Sequence, residues 1–599
     1  MEDSKNVFLA IVLSIIFLVG WKMLYVNPVM EEQYAQIAKE EKEKISVASN
    51  DEKSETATPK EKVTKPRNDI ISADINQNSR IRISSKGIDG SISLKGAKFD
   101  DLTLKRYRQQ LDDKSPPVVL LSPKNSMDSY FAEFGWLSAK KSIKVPDSNT
   151  VWKADKNIFS ANETVNLSWD NGAGLIFKRA ISLDDDYMFT ITDSVENTSL
   201  EDIKLLPFGL VNKIEDISDT SFYNHEGFIG SINDVLQEVH YSDMNDDPLT
   251  EFNDAKGWIA LTDKYWLTAL IPDSSLTFSV KSKHYTSKAN TQKVQVDYLG
   301  EASTVSAGSS LTLTNHFFAG AKKAELLDTY EENLDISLLS RSIDFGMLYF
   351  ISRPLFSLMT YFYGLVENFG VAILLLTMVV RIVMFPLSNK SFKSMAKMKL
   401  YMPELTAIKE RYKGDRTKMN NEMMSFYKKN NINPMSGCLP MLIQLPIFFA
   451  LYRLLLVTID MRHAEFAGWI VDLSAPDPTN IFNLFGLINW TPPAFLPVIG
   501  VLPVLFALSM YIQQMLNPTP TDKTQAMVMK FLPFIFLILF ASFPAGLVLY
   551  WFWSNILGII QQWIITKKLN PENVKAEAEA AIAAKAAKAK SKTKVRNKK

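Results

Sequence analysis

The chain of 599 residues reads as a multi-domain membrane protein, an all-β domain followed by an α-helical transmembrane core. Three observations predict this. Apolar and polar residues alternate with period two from about residue 69 to 340, long uncharged apolar runs fill the chain beyond, and basic residues gather in two stretches of that second half. Alternation with period two puts successive side chains on opposite faces of a strand. Uncharged runs near twenty residues match a hydrocarbon core of ~30 Å. A chain of this length exceeds one ordinary core, so several domains are expected.

The elements follow in order. The run "VFLAIVLSIIFLVGW" continues to Tyr25, so residues 1–25 are expected to be an uncleaved signal-anchor helix. No small-x-small cleavage site follows it, and Glu2 and Asp3 outweigh Lys5 before it. Residues 26–68 are read as a flexible charged linker: from Glu31 to Asn68, nine acidic and eight basic residues leave little apolar surface to bury. Residues 69–340 carry "RIRIS", "GSISL", "TVNLSW", "YMFTITDSV" and "LTFSVKS", divided by Gly, Asn and Asp clusters, which predicts an antiparallel sandwich. A short helix is expected over Lys322 to Asn333.

Residues 341–368 are rich in aromatics and broken by Arg353-Pro354, as suits an amphipathic helix lying in the membrane interface. Residues 369–566 are expected to hold five spans: Phe369 to Leu387, Cys438 to Ile459, near Ala494 to Leu516, a short fifth, and Leu547 to Thr566. Thirty-six uncharged residues follow Lys530, and as one helix they would reach ~54 Å. The chain must therefore turn back, and "FPAG" (Phe543 to Gly546) is the obvious place. With the anchor, six transmembrane helices result. A cytoplasmic helical hairpin is expected over 388–437, and a basic tail over 567–599.

Charge sets the orientation. Between Leu387 and Gly437 eleven basic residues face four acidic ones, and the tail from Lys567 has eleven against three. Both stretches should be cytoplasmic, along with both termini, and the β domain should lie outside.

Composition excludes several chemistries. The single cysteine, Cys438, cannot form an intramolecular disulfide, and His225, His240, His284, His316 and His463 lack metal-ligand spacing. No phosphate-cradling loop and no G-x-S-x-G elbow occur. An ATP-driven motor is therefore not expected, and neither is a cofactor.

Arg381 is the residue that asks for an explanation. It sits inside "LLLTMVVRIVMFPL" and cannot lose its charge. It lies ~9 Å from the expected cytoplasmic end of its span, at the edge of what snorkelling relieves. Thr377 lies one turn earlier on the same face, and other spans carry Gln444, Gln513, Tyr550, Ser554 and Asn555. No acidic residue inside a span neutralises Arg381, so these polar residues are expected to line a hydrated pocket. Each Gln or Asn alone is an ordinary helix–helix hydrogen bond; the combination with an unpaired Arg carries the reading. In the hairpin, Met395, Met398, Met402, Met419, Met423 and Met424 supply a flexible apolar face among basic residues. That face suits varied hydrophobic partners, and the basic tail suits anionic lipid or ribosomal RNA.

The combination "VVRIVMFPLSNKSFKSMAKM", "NPMSGCLPMLIQLPIFFALYRLL", "WIVDLSAPDP" and "FPAGLVLYWFWSNILGIIQQW" resembles the YidC membrane protein insertases, and the likeness spans nearly the whole chain. The resemblance implies a bacterial inner-membrane protein whose five-span core forms a positively charged groove open to cytoplasm and lipid. Arg381 would be the groove arginine, with Thr377 and the Tyr550-Trp551 pair facing the client helix. The periplasmic domain would be a supersandwich similar to sugar mutarotases and would meet the Sec translocon. Hairpin and tail would meet the ribosome and nascent inner-membrane proteins. "NLFGLINWTPPAFLPV" reads as an extra stretch before the fourth span. The implied function is insertion and assisted folding of membrane proteins, alone or with the translocon, without nucleotide hydrolysis. The competing expectation, a membrane-tethered sugar-binding or sugar-processing protein, needs a catalytic His/Glu pair in the β domain. A passive assembly chaperone is the third reading.

Overall fold

The computed structural model describes residues 65–568, apart from 113, 141, 216–224, 247–248, 288–290, 431–438, 491, 494–497 and 518–522. The expected anchor, nearly all of the linker and nearly all of the basic tail lie outside the described residues. The described residues fall into two compact units. A β unit ends at Phe345 and also takes Val457–Asp460, and a helical unit combines Gly346–Leu456 with the chain from Met461 onward.

The β unit opens with helix α1 (Arg67–Asn76), where the sequence suggested the end of a linker, and its first strand begins at Arg80. Two sheets follow, of eleven and nine strands. The larger runs from Leu249–Ala255 through Phe278–Thr286, Gln292–Gly300, Ile203–Ile214, Tyr130–Ser138 and Lys98–Arg108 to the N-terminal strands. The smaller is centred on Trp266–Ile271, Ser310–Ala321, Met188–Asn197 and Leu175–Leu183. Among the described strands, pairing is antiparallel except where Arg80–Ser84 lies parallel to Ile158–Ser160, and Lys65 forms an isolated parallel bridge with Ser126. The period-two pattern explains the layering: along Met188–Asn197, Phe189, Ile191, Asp193 and Val195 are buried in alternation. Phe99 and Phe134 of the larger sheet meet Phe189 and Phe317 of the smaller, with Phe99 5.0 Å from Phe317 and 5.2 Å from Phe189. Each such ring contributes about 1.5–3 kcal/mol when buried.

Arg179 is a cation fully enclosed in this core. Arg179 lies directly across from Asp193 on the neighbouring strand and donates to both of its oxygens at 2.6 and 3.0 Å. It also donates to the Phe134 carbonyl of the other sheet at 3.0 Å, so it ties the two layers together. Helix α2 (Ala324–Asn333) then covers the smaller sheet's end of the chain with Leu327 and Tyr330 buried, close to the bounds the sequence predicts.

The helical unit contains α3 (Tyr349–Val366), α4 (Phe369–Leu400), α5 (Met402–Arg411), α6 (Arg416–Lys429), α7 (Leu439–Val457), α8 (Val501–Leu516), α9 (Lys523–Phe540) and α10 (Ala545–Lys568). The side chain of Asn368 caps α4 by accepting from Val371 N at 3.0 Å. The sequence suggested an end at Leu387, but α4 passes through Pro386 to Leu400. The reason is a buried stripe that continues past the proline at Ser388, Ser391, Phe392 and Met395, whose packing outweighs one lost backbone bond. The break expected at "FPAG" is present: α9 stops at Phe540 and α10 starts at Ala545. The first free N–H groups of α10 donate to Ala475 and Leu473 carbonyls. The fourth expected span begins later than predicted, at Val501. Among the described residues, α4 is the helix long and apolar enough by itself to cross a bilayer. Gln444–Val457, Val501–Leu516 and Ala526–Phe540 are shorter apolar helices.

Two histidines that look scattered in sequence meet in the β unit. His225 and His240 stand edge to face with ring centres 4.6 Å apart. His225 Nε2 bonds the Phe228 carbonyl at 2.8 Å, which assigns the proton to that nitrogen and leaves buried Nδ1 as the site of proton uptake. Burial pushes the imidazole down to about 4. Folded chain therefore resists protonation: His225 contributes its full stabilisation above pH 6.5, and this is lost as pH falls toward 4, on the order of 3 kcal/mol. Asp100, which burial beside Arg80 pushes up to about 6, acts with opposite sign, its stabilisation being lost as pH rises from 3.8 through 6. The His225→Gln variant keeps a donor for Phe228 but has nothing to protonate. Its unfolding midpoint in detergent is expected to drop much less than the wild type's between pH 7 and pH 4.5. Equal drops would mean that His225 does not set the acid limit.

Candidate functional site around Arg381

Arg381 projects from α4 toward α10. Its Nε donates to Ser554 Oγ at 3.0 Å, and its Nη2 donates to the Ser554 carbonyl. One turn further along α10, Gly558 provides the space: a Cβ there would lie 3.3 and 3.4 Å from Nη2 and Nη1, and 3.2 Å from Gln513 Nε2. Among the described residues no carboxylate pairs with this guanidinium. Arg381 is thus held by a hydroxyl and a backbone carbonyl, and three of its five N–H groups remain outside these two bonds.

Helix α10 gathers the other polar side chains. Tyr550, almost fully buried, accepts from Gln444 Nε2 of α7. Asn555 donates to Ser509 of α8 at 3.1 Å, and Gln562 donates to Asn517 at 3.0 Å. Successive residues on α10 therefore address three helices. Trp551 turns into an aromatic cluster, with ring centres 5.2 Å from Phe448, 5.7 Å from Phe506 and 5.3 Å from Phe540. Thr377 is fully buried and donates to the Ile373 carbonyl at 2.6 Å, a local bond within α4.

The structure thus brings Arg381, Ser554 and Gln513 together around Gly558. It places Gln444 with Tyr550, and it sets Asn555 on the α8 side. Gly558, Ser509 and Asn517 were missed by the sequence reading. A signal existed for Gly558, since Ser554 and Gly558 form a small-xxx-small pair that lets helices approach closely. The hairpin methionines divide. Met395 is buried with Phe392 and Ile565, joining α4 to α10; Met398, Met402, Met419 and Met423 are half-buried, and Met424 is exposed. In the β unit, neither His225 nor His240 is hydrogen-bonded to a carboxylate through its ring among the described residues, and no group of residues there could hold a metal ion.

Geometry around Gly558 distinguishes two substitutions. Gly558→Ala needs shifts of a few tenths of an ångström from two flexible side-chain ends, and the purified protein should unfold within about 2 °C of wild type. Gly558→Leu should displace the guanidinium from Ser554 and lower the midpoint by several degrees, about 1–3 kcal/mol for an overpacked interior. A scan of both variants in the same detergent checks this.

Residues 361–573 match the family model described as 60Kd inner membrane protein, and residues 80–358 match the one described as YidC periplasmic domain. The membrane protein insertase YidC of Rickettsia bellii is 44% identical over 568 residues, 94% of this chain and 99% of its own. That of Rickettsia akari is 45% identical over 564 residues, with the same coverage. A solved structure described as an active YidC insertase with its first transmembrane domain resolved covers 80% of this chain and 92% of its own, at TM-score 0.34 and 19% identity. Identity at this level over almost the full length of both relatives leaves one conclusion: the chain belongs to the YidC family of membrane protein insertases.

Proposed function

We propose that the chain inserts nascent inner-membrane proteins through a hydrated, positively charged groove at Arg381, without nucleotide hydrolysis. The observation that carries this is a permanent cation on an apolar helix, fixed by Ser554 and free of any carboxylate among the described residues. A buried ion pair would neutralise its own field, whereas an unpaired guanidinium leaves N–H donors and charge for a passing chain. Water around Arg381 would lower the barrier for the short polar tail of a client. The client helix would then move into lipid, driven by burial of its own apolar surface. A membrane potential adds ~2.3 kcal/mol per charge per 100 mV and favours outward movement of acidic tails.

In this reading the chain crosses the membrane six times, with both ends and the 388–437 hairpin in the cytoplasm and the β domain outside. Thr377, Gln444, Gln513, Tyr550, Trp551, Ser554 and Asn555 build the groove wall. Thr377 and Trp551 would act mainly by fixing that wall, since both are engaged within the helical unit. The half-exposed hairpin methionines and the basic tail would receive clients and the ribosome. The Sec translocon is the partner expected for larger clients, where the chain would act as a folding chaperone as well as an insertase.

Arg381→Ala is expected to slow insertion of a single-span client with an acidic tail in proteoliposomes lacking the translocon. At roughly 10 Å and an effective dielectric near 20, each tail carboxylate loses about 1–2 kcal/mol of attraction, or about five- to thirtyfold in rate. A neutral-tailed client should slow far less, and Arg381→Lys should recover much of the difference. Equal slowing of both clients would sink the electrostatic mechanism.

A further inference from the structure

The segment between Asp477 and the start of α8 is unlike the other loops. No charged residue occurs from Pro478 to Pro520. Over Asn480–Trp490 the large side chains point outward: Leu487 is 87% exposed, and Leu484, Ile488 and Trp490 are each about half exposed. Leu484 and Phe485 both lie in the left-handed region, at φ 49° and 60°, an arrangement that costs bulky residues roughly 1–2 kcal/mol each. Folding therefore holds this loop in a shape that displays apolar surface.

The backbone supplies a second, independent observation. Phe482 N donates to Asn480 Oδ1 at 3.1 Å, and Gly486 N donates to Asn483 Oδ1 at 3.0 Å. Phe485 N donates to the Asn480 carbonyl at 2.7 Å, and Ile488 N to the Asn483 carbonyl at 3.1 Å. The loop thus satisfies several of its own N–H groups, which water would do for an ordinary surface loop and which lipid cannot do. It offers few donors to a protein partner, whereas acyl chains require none.

The loop is also rigidly joined to a short apolar helix. Asp477 accepts from Leu502 N at 2.8 Å and from Trp469 Nε1 at 3.2 Å, and Thr479 Oγ1 accepts from Val501 N at 2.9 Å. A side chain at Gly500 would strike the Asp477 carboxylate. Helix α8 has 16 residues, about 24 Å, against a hydrocarbon core of ~30 Å. Apolar surface attached at its start completes the missing length.

We propose that Asn480–Trp490 is a lipid-immersed wedge, seated among the acyl chains and headgroups of the outer leaflet, which sets the depth of α8. This rests on the reading that α8 spans the membrane with Val501 on the side away from the hairpin. The full chain, with Cys438→Ser, would carry one nitroxide at Leu487→Cys, Leu200→Cys or Ile512→Cys, in vesicles of phosphatidylethanolamine and phosphatidylglycerol. Leu200 is a water reference on the β unit, 97% exposed, and Ile512 is an exposed position on α8. The Leu487 label should collide with a water-soluble nickel chelate roughly tenfold less than the Leu200 label, because polar complexes are excluded from hydrocarbon, and should collide freely with oxygen. Nickel access at Leu487 with lipid protection at Ile512 overturns the wedge but not the span. Nickel access at both positions overturns the span reading itself. Protection of Leu487 from both probes means that a protein covers the loop, which also overturns the proposal.

Discussion

The helical unit depends on how one guanidinium is accommodated. A charged side chain in the middle of an apolar helix costs about 3 kcal/mol on insertion scales. Bonds to charged groups are worth roughly 1.5–3 kcal/mol each, so the two bonds to Ser554 offset the cost only if α4 and α10 come close. Gly558 helps them do so, because a side chain much larger than that of alanine would compete there for the volume of the guanidinium. The remaining polar contacts follow from that approach. With α10 fixed against α4, its other faces are directed at α7 and α8, where Gln444, Ser509 and Asn517 await Tyr550, Asn555 and Gln562.

Arg179 and Arg381 are handled in opposite ways. Arg179 meets a carboxylate in register on the next strand and also donates to a backbone carbonyl of the opposing sheet. Its charge is spent on holding two layers together. Arg381 has only neutral acceptors, so its field is undiminished. Breaking the first pair would strand a buried carboxylate, an outcome worth 3–5 kcal/mol in comparable cases; the second arrangement leaves nothing behind to strand. Arg179 is thereby part of the packing of the β unit, whereas under the proposed mechanism Arg381 keeps its field for a client.

Much of this was legible from residue order. Period-two patterning located the strands from Arg80 to Ala321, and Arg381 announced itself as the lone cation of its run. "FPAG" marked the break before α10. Other features depend on contacts that no local pattern encodes. The reach of α4 past Pro386 depends on a buried stripe whose partners, including Ile565, are far away in sequence. Trp551, expected with Tyr550 to face a client helix, turns into rings from α7, α8 and α9, because α10 is surrounded on that side. Likewise the encounter of His225 with His240 is created by a hairpin between neighbouring strands, which spacing alone does not reveal. Gly558 was missed for a different reason: a glycine announces no chemistry of its own, only room for another residue's.

Separation along the chain gives the Arg381–Ser554 contact a temporal meaning. The partners are 173 residues apart, and α10 is the last of the described helices to be made. At about 5–20 residues per second, the ribosome extends the chain for roughly 9–35 s between the two. For that interval the arginine must exist without its eventual acceptors, wetted or borrowed by something else. A protein that inserts others therefore passes through a stage in which it presents the same difficulty to the membrane as its clients do.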